Sequence, residues 1–168
     1  MDKTKSPGTI KRFEIDHTEL RPGLYVLRHN FGTTTFDLRF VRPNQETCIS
    51  PQALHTLGHL GEMYFRNQEN HDIQIIYFGP MGSRTGFYLV ISGWENPAKE
   101  DSSITKAVKS MLKFIVDYEG KIPGATKEEC GNYKEHNLPE AKSWAAKYLH
   151  DLSTKPHFKY PDNERGSL

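Results

Sequence analysis

The sequence predicts an α+β fold, in which helices pack on one face of an antiparallel sheet. Residues 34–41 alternate strictly between apolar and polar side chains, which is the period of a strand with one buried face. Residues 51–67 and 97–118 instead carry apolar side chains at helical spacing. The predicted order, βββ-α-ββ-α-α, lacks the regular strand–helix alternation of a doubly wound parallel sheet, and this favours the antiparallel arrangement.

Three short strands are predicted before the first helix. Residues 10–15 and 24–31 are apolar runs typical of strands, and residues 21–23 (Arg-Pro-Gly) form a turn between them. The alternating run at 34–41 is the third strand. Pro43 ends it, because proline cannot donate a hydrogen bond to a neighbouring strand.

Cap and turn residues mark the remaining elements. Ser50 and Pro51 are typical of a helix start, with serine as the N-cap and proline at the first helical position. After that helix the sequence predicts, in order, a strand at 73–78, a glycine-rich turn at 79–84, a strand at 86–92, a helix at 97–118, a loop to about 137 and a last helix from about 139.

Composition limits the classes of protein that remain. The 168 residues suit one domain with polar tails at about 1–9 and 155–168. The 22 Lys and Arg balance 21 Asp and Glu, so no net charge favours nucleic acid or an anionic membrane. No apolar run approaches a membrane span, and the first residues lack the apolar stretch of a secretory signal. We therefore expect a cytoplasmic protein whose Cys48 and Cys130 are reduced.

The clearest chemical signal is the pair His55 and His59 in the first long helix. Two histidines at i and i+4 project from the same side of a helix, so both imidazoles can bind one metal ion. Such pairs also arise by chance, and two unrelated helix histidines are the alternative. A zinc peptidase is disfavoured, because Thr56 stands where the His-Glu-x-x-His motif has its general base. Glu62, one turn beyond His59, is expected to face solvent.

A metal site requires a third ligand, and Cys130 is the first candidate. Gly131 follows it and lets the chain turn tightly beside a coordinated sulfur. Two histidines and one cysteine leave a tetrahedral ion one open position, which is typical of catalytic sites. Cys48 is a weaker candidate because it lies just before the helix that carries His55. For each cysteine the alternative is a small packed side chain.

The turn at 79–84 is a second candidate for ligand binding, because its glycines let the backbone approach a ligand closely. Ser83 lies in this turn but lacks the Gly-x-Ser-x-Gly sequence of a hydrolase nucleophile. The alternative is a tight connection between two strands.

Five segments together resemble the S-ribosylhomocysteine lyase (LuxS) family over about residues 12–150. They are Phe-Glu-Ile-Asp-His (13–17), Phe-Asp-Leu-Arg-Phe (36–40), His-Thr-Leu-Gly-His (55–59), Gly-Pro-Met-Gly-Ser-Arg-Thr-Gly-Phe-Tyr-Leu (79–89) and Glu-Cys-Gly-Asn-Tyr (129–133). The resemblance implies an α+β homodimer with active sites near the subunit interface.

The resemblance also implies an activity and a cofactor. Family members cleave S-ribosylhomocysteine to homocysteine and 4,5-dihydroxy-2,3-pentanedione, the precursor of the autoinducer-2 quorum-sensing signal. They use one divalent metal per chain, Fe²⁺ first with Zn²⁺ or Co²⁺ as alternatives, held by the residues that match His55, His59 and Cys130. Substrate contacts are implied for the residues that match His17, Arg39 and Arg66. The alternatives are an ion pair on the strand face for Arg39 and a surface charge for Arg66.

Two departures from the family pattern concern its acid–base residues. This chain has Gly58 where the family motif His-Thr-x-Glu-His has its glutamate. It has Ser83 where the family motif Gly-Pro-Met-Gly-Cys has its cysteine. Glycine has no titratable group, and a serine hydroxyl is a far weaker acid than a thiol. Arg12 and Tyr77 also stand where many members have Ser and Asp.

Three interpretations follow from these departures. In the first, the chain is a family member that keeps its metal site and has lost most or all turnover, because each acid–base group contributes roughly 10²–10⁴-fold to rate. In the second, Glu62 or a water on the metal replaces the missing groups and the chain remains a lyase. In the third, the chain is a non-catalytic, metal-stabilised module that binds a ligand or a partner.

Overall fold

A computed structural model describes residues 10–67, 73–98 and 102–161. Its elements are α1 (Lys11–Glu14), β1 (Gly23–Asn30), β2 (Thr33–Arg39), α2 (Pro51–Asn67), β3 (Ile75–Pro80), β4 (Gly86–Ser92), α3 (Ser103–Asp117) and α4 (Leu138–Thr154). The strands form one antiparallel sheet in the order β1-β2-β4-β3. The α+β fold class is therefore confirmed.

The two faces of the sheet differ in what covers them. On one face, apolar side chains of β2 and β4 such as Phe36, Leu38 and Leu89 belong to the main core, which they share with α2, α3 and α4. On the opposite face, Tyr25 and Leu27 of β1 belong to a smaller apolar cluster. The alternation seen in the sequence at 34–41 therefore separates a helix-covered face from a face that carries polar groups.

Residues 10–15, predicted as a strand, form the short helix α1 instead. The Phe13 N–H donates to the Ile10 carbonyl at 2.7 Å, which closes a single turn. Ile10 and Phe13 are both exposed and only Ile15 is buried, so the apolar residues of this segment do not form the continuous buried face that stabilises a strand. The prediction was wrong because apolar residues spaced three apart suit a turn of helix as well as a strand.

The helix predicted from residue 97 begins later, as α3 at Ser103. The Asn96 side chain accepts a hydrogen bond from the Ala98 N–H at 3.0 Å, which is an Asx turn. Residues 99–101 lie outside the described residues, as do residues 1–9 and 162–168 of the predicted tails.

Part of the predicted C-terminal tail lies against the sheet. The Leu24 N–H donates to the His157 carbonyl at 2.9 Å, and the ring of Tyr160 stacks on Tyr25 with centroids 4.6 Å apart. A Cβ at residue 23 would lie 2.4 Å from the His157 oxygen, so glycine there permits this approach. Within the described residues, no helix has the length and apolar character that crossing a bilayer requires.

Candidate metal centre

Helix α2 and the loop before α4 bring three metal-type ligands together. The rings of His55 and His59 lie on one side of α2 with centroids 4.5 Å apart. Cys130 comes from the loop, and its Sγ lies 3.4 Å from His55 Nε2 and 3.8 Å from His59 Nε2. The structure therefore places the two predicted histidines and the predicted cysteine around one point.

The separations suit a tetrahedral ion. With metal–sulfur and metal–nitrogen bonds of about 2.3 and 2.1 Å, tetrahedral geometry requires a sulfur–nitrogen separation of about 3.6 Å. The two observed separations lie on either side of this value. The donor set also suits Fe²⁺, Co²⁺ or Zn²⁺, all of which accept imidazole and thiolate ligands.

Backbone carbonyls orient both imidazoles. His55 Nδ1 donates to the Glu135 carbonyl at 2.9 Å, and His59 Nδ1 donates to the Pro123 carbonyl at 2.8 Å. Because a carbonyl only accepts, the proton of each neutral ring lies on Nδ1 and the lone pair lies on Nε2, toward Cys130. Gly124, with a positive φ of 67°, carries the loop past His59.

Hydrogen bonds within the loop also position Cys130. The Cys130 N–H donates to the Thr126 carbonyl at 3.0 Å, which fixes the backbone in a turn. The Asn132 N–H donates to Cys130 Sγ at 3.4 Å, which helps to orient the sulfur. Cys48 is half-buried and lies outside this group.

A fourth side chain of the centre, His136, was missed by the sequence analysis. Its ring stacks on His55 with centroids 4.2 Å apart and planes at 19°. Ligand atoms of His55, His59, Cys130 and His136 all lie within 4.8 Å of one another. Burial, followed by the neighbouring His55 and His59, lowers the pKa of His136 to about 4, so the ring is neutral at pH 7. Its only sequence signal is a position six residues after Cys130.

His17, Arg39 and Ser83 meet elsewhere, around a cavity of about 350 Å³ on the face of the sheet away from the main core. Ser83 is exposed at its rim, and its Oγ lies 2.8 Å from Thr85 Oγ1. His17 Nδ1 donates to the Ile15 carbonyl at 2.9 Å. Three of the predicted catalytic or substrate-binding residues therefore share one cavity.

Arg39 is already paired within the chain. Its Nη2 lies 2.6 Å from Asp37 Oδ2, its Nε donates to Asp37 Oδ1 at 3.1 Å, and both side chains are buried. Burial alone lowers the pKa of Arg39, but the Asp37 carboxylate outweighs that effect and the net shift is upward. The Tyr160 hydroxyl donates to the same carboxylate at 3.0 Å. The strand-face ion pair considered for Arg39 is therefore present.

Arg66 and Glu62 pair with each other on the surface of α2. The Arg66 Nε donates to Glu62 Oε1 at 2.8 Å, with side chains 59% and 39% exposed. This arrangement agrees with the surface-charge alternative for Arg66 and with a solvent-facing Glu62.

Gly58 lies on α2 between the two metal-type histidines. A Cβ at this position would meet only the ring of Phe87, at 4.0 Å, which is ordinary van der Waals contact. The backbone therefore has room for a larger side chain here.

Comparison of the sequence with known proteins identifies the family of this chain. A model of the family described as S-Ribosylhomocysteinase (LuxS) matches residues 10–158, most of the chain. The chain belongs to the S-ribosylhomocysteinase (LuxS) family. It is 45% identical over 158 residues to an S-ribosylhomocysteine lyase of Borreliella burgdorferi, covering 90% of this chain and 98% of the relative. It is 42% identical over 163 residues to one of Phocaeicola vulgatus, with 93% and 99% covered. It is 40% identical over 159 residues to one of Finegoldia magna, with 91% and 98% covered.

Proposed function

We propose that this chain is a LuxS-family protein that binds a divalent metal and the substrate S-ribosylhomocysteine but turns the substrate over very slowly or not at all. The observation that carries the proposal is the contrast between His55, His59 and Cys130, which converge at metal-binding distances, and Gly58, which offers no side chain beside them. We assign the metal as Fe²⁺, with Zn²⁺ or Co²⁺ as replacements, and the compartment as the cytoplasm.

The reaction of the family sets the chemical requirement. S-ribosylhomocysteine undergoes two carbonyl migrations along the ribose and then β-elimination of homocysteine, leaving 4,5-dihydroxy-2,3-pentanedione. A bound divalent ion would supply Lewis-acid polarisation of a carbonyl. Every migration also moves protons between carbon and oxygen, so a base and an acid must be placed beside the sugar.

Two positions of this chain lack the required proton carriers. Gly58 has none. The Ser83 hydroxyl has no base among its described contacts, because its Oγ is hydrogen-bonded to the Thr85 hydroxyl. A serine in such surroundings hydrogen-bonds to a ligand but removes a proton from carbon poorly. Glu62 is a weak substitute because its carboxylate is paired with Arg66 on the helix surface.

Substrate binding is the part that we expect to survive. We assign His17 and Arg39 to the cavity that also contains Ser83. Asp37 and Thr85 already accept hydrogen bonds from Arg39, and we assign only its remaining N–H groups to an amino-acid carboxylate. Arg66 has to leave Glu62 before it can contact a substrate, so its role is the weaker assignment.

We propose that the partner of this chain is a second copy of itself. Beside the Ser83 cavity lies a second one of about 330 Å³, lined by Ile10, Tyr77 and Val90 among others. Phe13 and Tyr77 are 65% and 50% exposed, and exposed apolar residues grouped around a cavity are typical of a protein interface. Sedimentation at micromolar concentration tests this assignment.

The test of the catalytic proposal restores both family residues. Gly58→Glu with Ser83→Cys, loaded with Co²⁺, should release homocysteine from S-ribosylhomocysteine at least 100-fold faster than the unchanged chain. The matched control is Gly58→Gln with Ser83→Ala, which has similar bulk and no acid–base group. Release is followed with a thiol reagent, and protein thiols are subtracted in a sample without substrate.

The outcomes separate the interpretations. Rescue by the Glu and Cys pair but not by the control pair supports a disabled lyase. No rescue in a folded, metal-loaded variant contradicts it and favours the non-catalytic binding module. Rapid release by the unchanged chain contradicts both and points to Glu62 or another replacement base.

A further inference from the structure

One nitrogen of the metal centre is buried without a hydrogen-bond partner. Within the described residues, three side-chain atoms share this condition, namely Arg42 Nε, Ser102 Oγ and His136 Nε2. His136 Nε2 is distinguished because it belongs to the group of metal-type ligands. A buried polar atom without a partner is costly, so its presence at a site calls for a ligand to satisfy it.

The hydrogen bonds around Thr56 fix which nitrogen of His136 carries the proton. The Thr56 hydroxyl has one proton, which it donates to the Gln52 carbonyl at 2.9 Å. It accepts from the Asn137 N–H at 2.9 Å. At 3.1 Å from His136 Nδ1 it is therefore again the acceptor, so Nδ1 carries the proton. His136 Nε2 is left with a free lone pair and acts only as an acceptor.

The orientation of the ring argues against direct coordination. A metal–imidazole bond lies in the plane of the ring, along the nitrogen lone pair. The rings of His55 and His136 are nearly parallel, with centroids 4.2 Å apart, so their lone pairs lie in separate, stacked planes. An ion bound along the Nε2 lone pair of His55 would therefore not lie along the Nε2 lone pair of His136. The His59 ring, at 87° to His55, has no such conflict.

We propose that His136 Nε2 accepts a hydrogen bond from the O–H group that occupies the position left open by His55, His59 and Cys130. That group is a water when no ligand is bound and a ligand hydroxyl when one is. His136 is thus a positioning residue for the fourth position of the metal. The inference rests on the metal-binding part of the proposed function and not on turnover. Because residue 58 is glycine, position 58 offers no competing acceptor.

Nitrogen NMR of the unchanged, Zn²⁺-loaded protein with ¹⁵N-labelled histidine tests the proposal directly. We expect the Nε2 signals of His55 and His59 to show the full shift of metal coordination. The His136 Nε2 signal should remain unprotonated and move by a clearly smaller amount when Zn²⁺ is added. A full coordination shift at His136, a proton on its Nε2, or no response to Zn²⁺ would each overturn the proposal.

A pair of variants supplies a second readout. His136→Phe keeps a flat ring against His55 but removes the nitrogen, and should weaken Zn²⁺ binding about 10-fold in competition with a chelator. His150→Phe, at an exposed position of α4, is the matched control and should leave affinity unchanged. Equal affinity of folded His136→Phe and the unchanged chain would contradict the proposal. If the unchanged chain does not bind Zn²⁺, the metal-binding part of the proposed function fails instead.

Discussion

The metal centre and the Ser83 cavity differ in how their polar groups are used. At the metal centre, backbone carbonyls accept hydrogen bonds from Nδ1 of His55 and His59. The Nε2 atom of each ring therefore presents a lone pair toward the centre. In the Ser83 cavity, hydrogen bonds join Ser83, Thr85, Arg39 and Asp37 to one another. The first region is prepared for an added ion, whereas the second is largely satisfied by its own side chains.

In the proposed function, metal binding and proton transfer depend on separate residues. The candidate metal ligands are positioned by α2 and the loop before α4, and their convergence does not require a glutamate at position 58. Under this proposal, Gly58 and Ser83 leave the chain without its acid–base groups while the geometry of the candidate ligands persists. Four predictions sharpen the comparison, in order of decreasing expected effect.

The largest effect is expected for Cys130→Ala. Apparent binding energies of about 10–16 kcal/mol for four-ligand zinc sites suggest about 3 kcal/mol per ligand, so Zn²⁺ affinity should fall roughly 100- to 1,000-fold. Absorption of the Co²⁺-loaded protein should also lose its thiolate charge-transfer band. Cys48→Ala is the matched control, and a similar loss there would contradict the assignment of Cys130.

The next effect concerns the second face of the sheet. Asp37→Asn leaves the buried Arg39 guanidinium without its counter-charge, which should lower the free energy of unfolding by about 3 kcal/mol. Glu62→Gln breaks an exposed pair with Arg66 and should change the free energy of unfolding by less than about 0.5 kcal/mol. Urea unfolding measures both variants. Equal effects would show that the Asp37–Arg39 pair is not protected from solvent.

Alanine substitutions at two glycines of α2 should change the free energy of unfolding by smaller amounts and in opposite directions. Gly58→Ala meets no close atom and should stabilise the protein by about 0.5–1 kcal/mol, raising the melting temperature by a few degrees. Gly61→Ala is the matched comparison, because its Cβ would lie 2.3 Å from the Phe78 ring. That variant should be destabilised. Loss of stability in Gly58→Ala would contradict the open space assigned to position 58.

The smallest effect is a dependence of stability on alkaline pH. Burial first, and then the Asp37 carboxylate, raise the pKa of both Tyr25 and Tyr160. A raised pKa in the folded state means that stability is fully present below about pH 10 and falls as pH rises further, because the unfolded chain loses these protons first. Tyr160→Phe should make this fall less steep in urea unfolding at pH 9–11. An equally steep fall in Tyr160→Phe and in the unchanged chain would contradict this assignment.

Local periodicity was enough to predict most of the fold. The strict alternation at 34–41 and the apolar spacing at 51–67 report a buried face directly, and β2 and α2 lie there. Residues 10–15 have no buried face of comparable length, and their apolar residues suited two structures equally. Residues 155–161 show no strand or helix periodicity in the sequence, and contacts with β1 and with Asp37 of β2 hold them on the sheet.

The metal centre was predictable to the extent that its ligands lie in local patterns. His55 and His59 are four residues apart on one helix, so their convergence follows from helix geometry. His136 reaches the same point through a loop, and no periodicity relates it to α2. Its place depends on the Thr56 hydroxyl, a contact between residues 80 positions apart.

One sample can test the central claim, that the metal site is complete and the proton transfer is absent. The unchanged chain is loaded with Co²⁺, its metal content is determined, and homocysteine release from S-ribosylhomocysteine is followed in the same preparation. We predict one ion per chain and no release above the metal-free control. Release at ordinary enzyme rates, about 1 s⁻¹ or faster, would contradict the account. A folded chain that retains no metal would contradict it equally.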